Sequence, residues 1–275
     1  MIPVQASPIR SDDETTWPVE LLSLLNDRLP SLRKYHDERR RIHADPRNRH
    51  RYPPPNEWAV LHDETIGVID DLIRGRHLIG WHCTRLTADE IERIRREGMR
   101  VTGRDLANER VHARVAAGEI SDEFAKLLLT HSCAEHTGNL NEYGRRKGQI
   151  HFCFTSGLLR DEYSVSRLLS TWGGEMLYWH HADDPAVEGA LRAIGTACII
   201  EAAIPVTEIE AYGSIGERFL RWFLHRHDVK TENDDDWAGH TKVSVPGSRI
   251  LRIIPRSDAD FNRLTECDRW SEPIT

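Results

Sequence analysis

Apolar positions along this chain follow two periods. Val60, Leu61, Ile66, Ile69, Leu72 and Ile73 recur at three- and four-residue steps, which predicts a helix over 58–74 packed by one face. The same spacing predicts a helix starting at Trp17, continued as a basic helix from Arg33 to Ile42, and another over 214–225 carrying Phe219, Leu220, Trp222 and Phe223. Residues 104–135 read as two helices broken at Gly118–Ser121, with Leu127, Leu128 and Leu129 in the second; 156–170 and 185–194 read as further helices. Shorter apolar runs of strand length lie at 77–83, 149–155 and 197–204, and the runs 242–245 and 249–254 are expected to form a closing hairpin. Trp172 to Trp179 reads as a glycine turn into a short strand that begins with the carboxylate of Glu175. Short strands among many helices, without regular βαβ alternation, predict an α+β fold.

The best-specified unit runs from His77 to Gly98. After the apolar strand, Thr87-Ala88-Asp89-Glu90 has the form of a capping box, Thr87 as N-cap and Glu90 returning the bond. Leu86 and Ile91 stand at the hydrophobic-staple positions, and Gly98 is placed to end the helix because glycine takes positive φ cheaply. Asp45-Pro46 and Pro53-Pro54-Pro55 break the helical pattern before it. The expected organisation is therefore an N-terminal helical, partly basic arm over 1–57, a main domain over 58–256 and a tail over 257–275.

Composition narrows the class. With 275 residues, 39% hydrophobic and 29% charged, the chain has enough apolar material for a real core. It lacks an apolar run of membrane-spanning length and a signal-peptide pattern at its start, so a cytoplasmic location without membrane partners is expected. Five scattered cysteines without C-x-x-C spacing suit reduced thiols. The net charge is −7, yet residues 31–52 hold eight bases against three acids, which leaves a net −12 on the remainder. Such an arm suits an anionic partner; it also suits a plain solvated helix.

Candidate chemistry concentrates in three pieces. Trp81-His82-Cys83-Thr84-Arg85, followed by Ile91, Ile94 and Glu97-Gly98-Met99-Arg100, resembles the first strand and helix of the ADP-ribosyltransferase superfamily, whose poly-ADP-ribose polymerase branch carries W-H-G-S-R and then I-L-x-x-G-L. The DNA-modifying toxin branch and the tRNA 2′-phosphotransferases open similarly. Ile150-His151-Phe152-Cys153 resembles the family's G-I-Y-F-A strand, with Tyr163 about ten positions on where the family stacks an aromatic on nicotinamide. Gly174-Glu175-Met176-Leu177-Tyr178 is similar to the strand that carries the catalytic glutamate. The likeness spans about residues 78–205 and departs at Cys83, where the family usually has the glycine that allows close backbone approach.

The resemblance implies a split β-sheet core with helical insertions, NAD⁺ as substrate, and transfer of ADP-ribose to a macromolecule. Loss of nicotinamide develops positive charge on the ribose, so a fixed carboxylate beside it stabilises the transition state. Glu175 is expected in that role; Glu201, Glu208 and Glu210 are rivals, since many members carry the glutamate on a later strand. His82 would bond a ribose hydroxyl, Tyr163 would stack on the ring, and Cys83, Thr84, Arg85, Phe154 and Thr155 would line the cofactor site, Arg85 suiting a pyrophosphate. The plainer alternatives are a satisfied core histidine at 82, a turn carboxylate at 175, core packing for Tyr163, and helix capping by Thr155 or Ser156.

Other chemistries find less support. His131-Ser132-Cys133-Ala134-Glu135-His136 gathers ligand types, but zinc needs three or four convergent ligands and no matching pair accompanies it, so no metal is expected. A serine hydrolase would need a G-x-S-x-G elbow, and no G-x-G-x-x-G or P-loop is present. The basic arm favours a nucleic acid acceptor, RNA or DNA, over protein. By resemblance alone, such enzymes often serve as toxins in toxin–antitoxin or phage-defence systems, with an antitoxin protein as a further partner. The alternatives are an inactive NAD- or partner-binding module of the same fold, or an RNA 2′-phosphotransferase-like enzyme, whose basic phosphate pocket the sequence does not assemble.

Overall fold

The structure, a computed structural model, describes residues 7–48, 54–130, 147–178, 181, 183–231 and 236–274. In chain order its main elements are α1 (Val19–Ala44), α2 (Ala59–Ile73), β1 (His77–Leu86), α3 (Ala88–Glu97), β2 (Gly98–Met99), α4 (Arg104–Ala116), α5 (Asp122–Thr130), β3 (Ile150–Cys153), α6 (Gly157–Arg160), α7 (Glu162–Ser170), α8 (Gly174–Tyr178) and α9 (Pro185–Arg192). There follow β4 (Thr196–Pro205), β5 (Glu210–Ala211), α10 (Ile215–Arg226), β6 (Ala238–Thr241), β7 (Val245–Pro246), β8 (Ile250–Pro255) and α11 (Ala259–Thr265). The class is α+β, as the interleaved periods predict. No helix among the described residues is long and apolar enough to cross a membrane.

The chain divides into two compact units. The first holds residues 1–79, 205–207 and 211–237, and its centre is the packing of α1, α2 and α10. Leu21, Leu25, Leu32, Ile69, Ile73, Phe219 and Phe223 are fully buried there, and Trp17 lies 4.9 Å from Phe219 and 5.5 Å from Trp222. The buried stripe of α1 runs past Pro30, through Leu32 and Tyr35, so the helix continues into the basic segment as expected. Its basic residues are largely committed locally. Arg33 donates to the His227 carbonyl, Arg40 to the Lys230 carbonyl at 2.7 Å, and Arg39 to the Tyr35 hydroxyl at 3.0 Å. Arg41 pairs with Glu38, Arg47 with Asp45, and the Lys34 ammonium sits 4.6 Å over the Trp58 ring. Arg49 and Arg51 of the same run lie outside the described residues.

The second unit holds residues 80–204, 208–210 and 238–275. Its frame is a six-stranded sheet in the order β5-β6-β3-β1-β4-β8, beside a two-stranded ribbon of β2 and β7. Pairing within the sheet is uneven. Antiparallel β3 and β6 share four residue pairs and antiparallel β4 and β8 five, whereas β1 is registered to β3 at one, Trp81 opposite Cys153. β1 and β3 thus meet at a narrow seam in the middle of the sheet, with β6 and β5 beyond β3 and with β4 and β8 beyond β1. A second core forms where Trp172, Met176, Leu177, Val187, Leu191 and Ile194 pack with Ala107, Val111, Ala125 and Leu128 of α4 and α5.

The strand β1, the helix α3 and its cap follow the expected form. The Thr87 N–H donates to Glu90 Oε2 at 2.9 Å, and Gly98 stands at φ 92°. Several elements differ from expectation. The expected closing hairpin is absent: β7 pairs with β2, and β8 lies against β4, where Ile253 and Ile254 face Ile200 and Ile199 and cover that edge with apolar side chains. The expected strand at Glu175 is the short helix α8, because consecutive left-handed glycines (Gly173 at φ 87°, Gly174 at φ 55°) turn the chain and a helical turn delivers Met176 and Leu177 to the core. The helix expected over 156–170 is broken at Asp161, which caps α7 by accepting from the Tyr163 N–H at 3.2 Å. α2, expected in the main domain, falls in the first unit because its buried face meets α1 and α10. Within the expected tail, Phe261 and Leu264 of α11 are buried.

Candidate active site

A cavity of about 440 Å³ lies wholly within the second unit, on the seam between β1 and β3. β1 supplies one wall, because past Trp81 it leaves β3 and exposes His82 and Thr84 to the gap. The His82 Nδ1–H donates to the His151 carbonyl at 2.8 Å, which fixes the neutral tautomer with Nε2 as acceptor. Among the described residues Nε2 has no partner. Burial pushes the His82 pKa down, the bond to His151 opposes that, and the charge of Arg110 adds to the lowering, so the ring is neutral near pH 7.

His82, Cys83, Thr84, Tyr163 and Glu175 all line this cavity. Tyr163 is 89% exposed, so it is not core; it stands at the mouth with its ring face open. Glu175 sits in the first turn of α8 with its side chain largely covered, and the Arg167 Nη2 donates to its Oε1 at 3.3 Å. The rival glutamates are engaged elsewhere: Glu201 accepts from the Trp81 indole at 2.9 Å, Glu208 pairs with Arg249, and Glu210 pairs with Lys242. None of the three lines the cavity.

Three expected site residues lie outside the lining. Arg85 is 4% exposed and donates to the Ile194 carbonyl at 2.8 Å and the Leu169 carbonyl at 3.5 Å, tying two helix ends together. Phe154 is fully buried, packing against Gly80 and Gly239, and Thr155 is equally enclosed. Cys83 keeps a side chain where close backbone approach favours glycine. A bond to the Cys153 thiol, together with burial and the nearby charge of Cys153, pushes the Cys83 thiol pKa well up, so it remains a thiol and not a nucleophile.

The structure also brings in residues the sequence did not single out. Glu90, read only as a cap, is buried at the cavity wall, where it accepts from Arg110 Nε at 2.6 Å and from the Trp172 indole at 2.9 Å. Burial alone would raise the Glu90 carboxyl; Arg110, the Thr87 N–H and the Trp172 N–H outweigh it and hold the group below its usual value. Arg93, Arg100, Lys147 and Arg167 add basic character to the lining, Arg93 and Arg100 sharing the single carboxylate of Glu109. Beyond Glu90 in the capping box and Arg100 at the end of Glu97-Gly98-Met99-Arg100, no short motif marks these residues, since Glu109 and Arg110 lie on α4 and meet α3 only in the fold. Among the described residues no group of three or more metal-ligand types converges, and the His131–His136 cluster lies outside them. An apolar cavity with a neutral histidine, a fixed carboxylate, an open aromatic face and a basic rim suits a planar ring joined to a phosphate-bearing chain.

No protein-family model, curated protein or solved structure matches this chain.

Proposed function

We propose that the protein is an NAD⁺-dependent ADP-ribosyltransferase of the ADP-ribosyltransferase-like fold. The observation that carries this reading is the convergence of His82, Tyr163 and Glu175, far apart in sequence, on one cavity that excludes Glu201, Glu208 and Glu210. In this reading Tyr163 stacks on the nicotinamide ring at the mouth. The His82 Nε2 accepts from a ribose hydroxyl. Glu175 stabilises the positive charge that develops on the ribose as the bond to nicotinamide breaks, and takes the proton released by the attacking acceptor atom. Arg167 orients the Glu175 carboxylate. The basic rim takes over the phosphate contacts first assigned to Arg85.

The acceptor in this reading is a nucleic acid, RNA or DNA, with a toxin-like role and an antitoxin partner as its cellular setting. The committed state of the α1 arginines shifts the expected phosphate contacts from the arm to the rim of the cavity. That same basic rim favours one second reading, an RNA 2′-phosphotransferase-like reaction, in which the 2′-phosphate of an RNA rather than a hydroxyl or base attacks the ribose of NAD⁺ and displaces nicotinamide. The test is incubation with NAD⁺ labelled in the adenylate, together with total RNA, 2′-phosphorylated RNA, DNA or cell lysate, beside Glu175→Ala and His82→Ala. Label transfer to one pool by the unaltered protein supports the reading and names the acceptor. Absence of both transfer and nicotinamide release removes it.

A further inference from the structure

The cavity contains a charged group whose hydrogen-bonding capacity is mostly unused. A guanidinium carries five N–H donors. Arg110 spends one, its Nε–H, on Glu90 Oε1 at 2.6 Å, and its guanidinium carbon lies 4.9 Å over the Trp172 ring, which holds the plane of the group. The Nη2 nitrogen is buried without a hydrogen-bond partner. The side chain is only 11% exposed, yet it lines the cavity. Buried donors are nearly always paired, so an unfilled fork at a cavity wall points to an acceptor oxygen on whatever fills the cavity.

The charge state of the site selects the kind of acceptor. Glu90 is saturated: one oxygen takes Arg110, and the other takes the Thr87 N–H and the Trp172 indole N–H, each at 2.9 Å. It is a fixed anion that already balances the Arg110 cation. A carboxylate placed on the remaining N–H groups would put a second anion on the same guanidinium, in a cavity with Leu86, Ile94 and Leu106 in its lining, where repulsion is screened less than in bulk water. A neutral carbonyl fills the same donors without that repulsion. The exposed rim differs, because there Arg93 and Arg100 share one glutamate and a positive surplus remains.

We propose that Arg110 binds the uncharged carboxamide of the ligand's ring and that the Arg110–Glu90 pair selects the amide over the corresponding carboxylate. The inference rests on the reading of the cavity as an NAD⁺ site and adds to it a specificity determinant carried on α4. Arg110 acts as a binding residue, and Glu90 acts through it as a positioning residue.

The experiment measures equilibrium binding of NAD⁺, nicotinic acid adenine dinucleotide and ADP-ribose to the full chain, to Glu90→Gln and to Arg110→Lys. The unaltered protein is expected to bind NAD⁺ at least about tenfold more tightly than the acid dinucleotide, the scale of one hydrogen bond to a charged group. Glu90→Gln leaves the guanidinium charge uncompensated and is expected to erase or invert that preference, with ADP-ribose affinity unchanged. Arg110→Lys keeps an ammonium for Glu90 but lacks the fork, so NAD⁺ binding falls about tenfold while ADP-ribose binding holds. Equal affinity of the unaltered protein for amide and acid overturns the inference and leaves the NAD⁺ reading standing. So does an amide preference that survives Glu90→Gln, or an equal loss of NAD⁺ and ADP-ribose binding in Arg110→Lys. Should a variant fail to fold, the amide-to-acid ratio of the unaltered protein decides. If that protein binds neither dinucleotide nor ADP-ribose, the NAD⁺ reading itself falls, and this inference with it.

Discussion

The His82 imidazole donates to the His151 carbonyl at 2.8 Å, one residue beyond the pair Trp81–Cys153 that joins β1 to β3. A side chain thus bridges the strands where their ladder gives out. The same bond aims the other ring nitrogen away from the strand and keeps it an acceptor. Sheet geometry and site chemistry therefore meet in one histidine.

That arrangement has a pH signature. The His82 pKa is lowered by burial and by the charge of Arg110, against the opposing bond to His151, so its folded value lies below the unfolded value of 6.5. Between those two values the unfolded chain binds more protons than the folded one. The His82 contribution to stability is therefore complete above about pH 6.5 and is lost as pH falls through the depressed value. NAD⁺ affinity should fall only as pH drops through the depressed folded value, because protonation of the folded imidazole removes the Nε2 acceptor. Titration of NAD⁺ binding against pH checks this, and His82→Gln should flatten the acid limb.

Removing the carboxylate of Glu175 separates chemistry from binding. Glu175→Gln keeps the shape and a bond to Arg167 but not the charge, so transfer should drop by about 10²–10³-fold, the usual loss for one electrostatic stabiliser of a transition state. Ground-state NAD⁺ affinity should change only a few-fold. Single-turnover release of nicotinamide reads the first and calorimetry the second. Full activity in Glu175→Gln would return the question to another carboxylate.

Parts of this molecule are legible from local pattern because their causes are local. The capped helix α3 needs only Thr87, Glu90 and Gly98 at fixed offsets, and the burial of β1 and β4 follows from their largely apolar runs at strand length. The site is half legible for the same reason: His82 and Glu175 sit in short motifs, whereas Arg110 meets Glu90 across 20 intervening steps of chain and an apolar helix face. Arg85 misled because a motif states a residue type and not the partners the fold gives it. The helix at Glu175 is not legible because a five-residue segment with only Met176, Leu177 and Tyr178 as large apolar positions fits either period, and only the core formed with α4, α5 and α9 decides. Likewise β8 could pair with its neighbour in sequence or cover the free edge of β4; nothing local distinguishes the two.

Tyr163 offers a test in which stability and binding part company. At 89% exposure its ring contributes little to the fold, so Tyr163→Ala should shift unfolding free energy by no more than about 0.5 kcal/mol. If the ring stacks on the ligand, the same variant loses about 0.5–1.5 kcal/mol of binding, roughly two- to twelvefold in Kd, and Tyr163→Phe restores it. ADP-ribose, which lacks the nicotinamide, should bind all three forms alike. Unchanged NAD⁺ affinity in Tyr163→Ala would leave the residue as ordinary surface.

Gly98 is where the fold itself is most exposed to a single methyl group. It ends α3 at φ 92°, opens β2, and lies in the cavity lining. A Cβ there would stand 1.9 Å from the Val245 carbonyl oxygen and 2.6 Å from the Gly247 nitrogen, both backbone, so no side-chain rotation relieves the clash. The left-handed conformation alone costs an alanine about 1–2 kcal/mol, and displacing β7 from its pairing with Gly98 and Met99 adds to it. Gly98→Ala should therefore lower stability by more than about 2 kcal/mol, seen in urea as a lower midpoint with an unchanged slope. Because β2 carries Met99 into the cavity, ligand affinity should fall as well. A control at Gly103, the N-cap of α4 and also in the cavity lining, where an added Cβ meets nothing within 4 Å, should cost no more than about 1 kcal/mol, the scale of a lost N-cap preference. A midpoint for Gly98→Ala equal to that of Gly103→Ala would show that the ribbon gives way freely, and that the seam does not depend on the turn that ends α3.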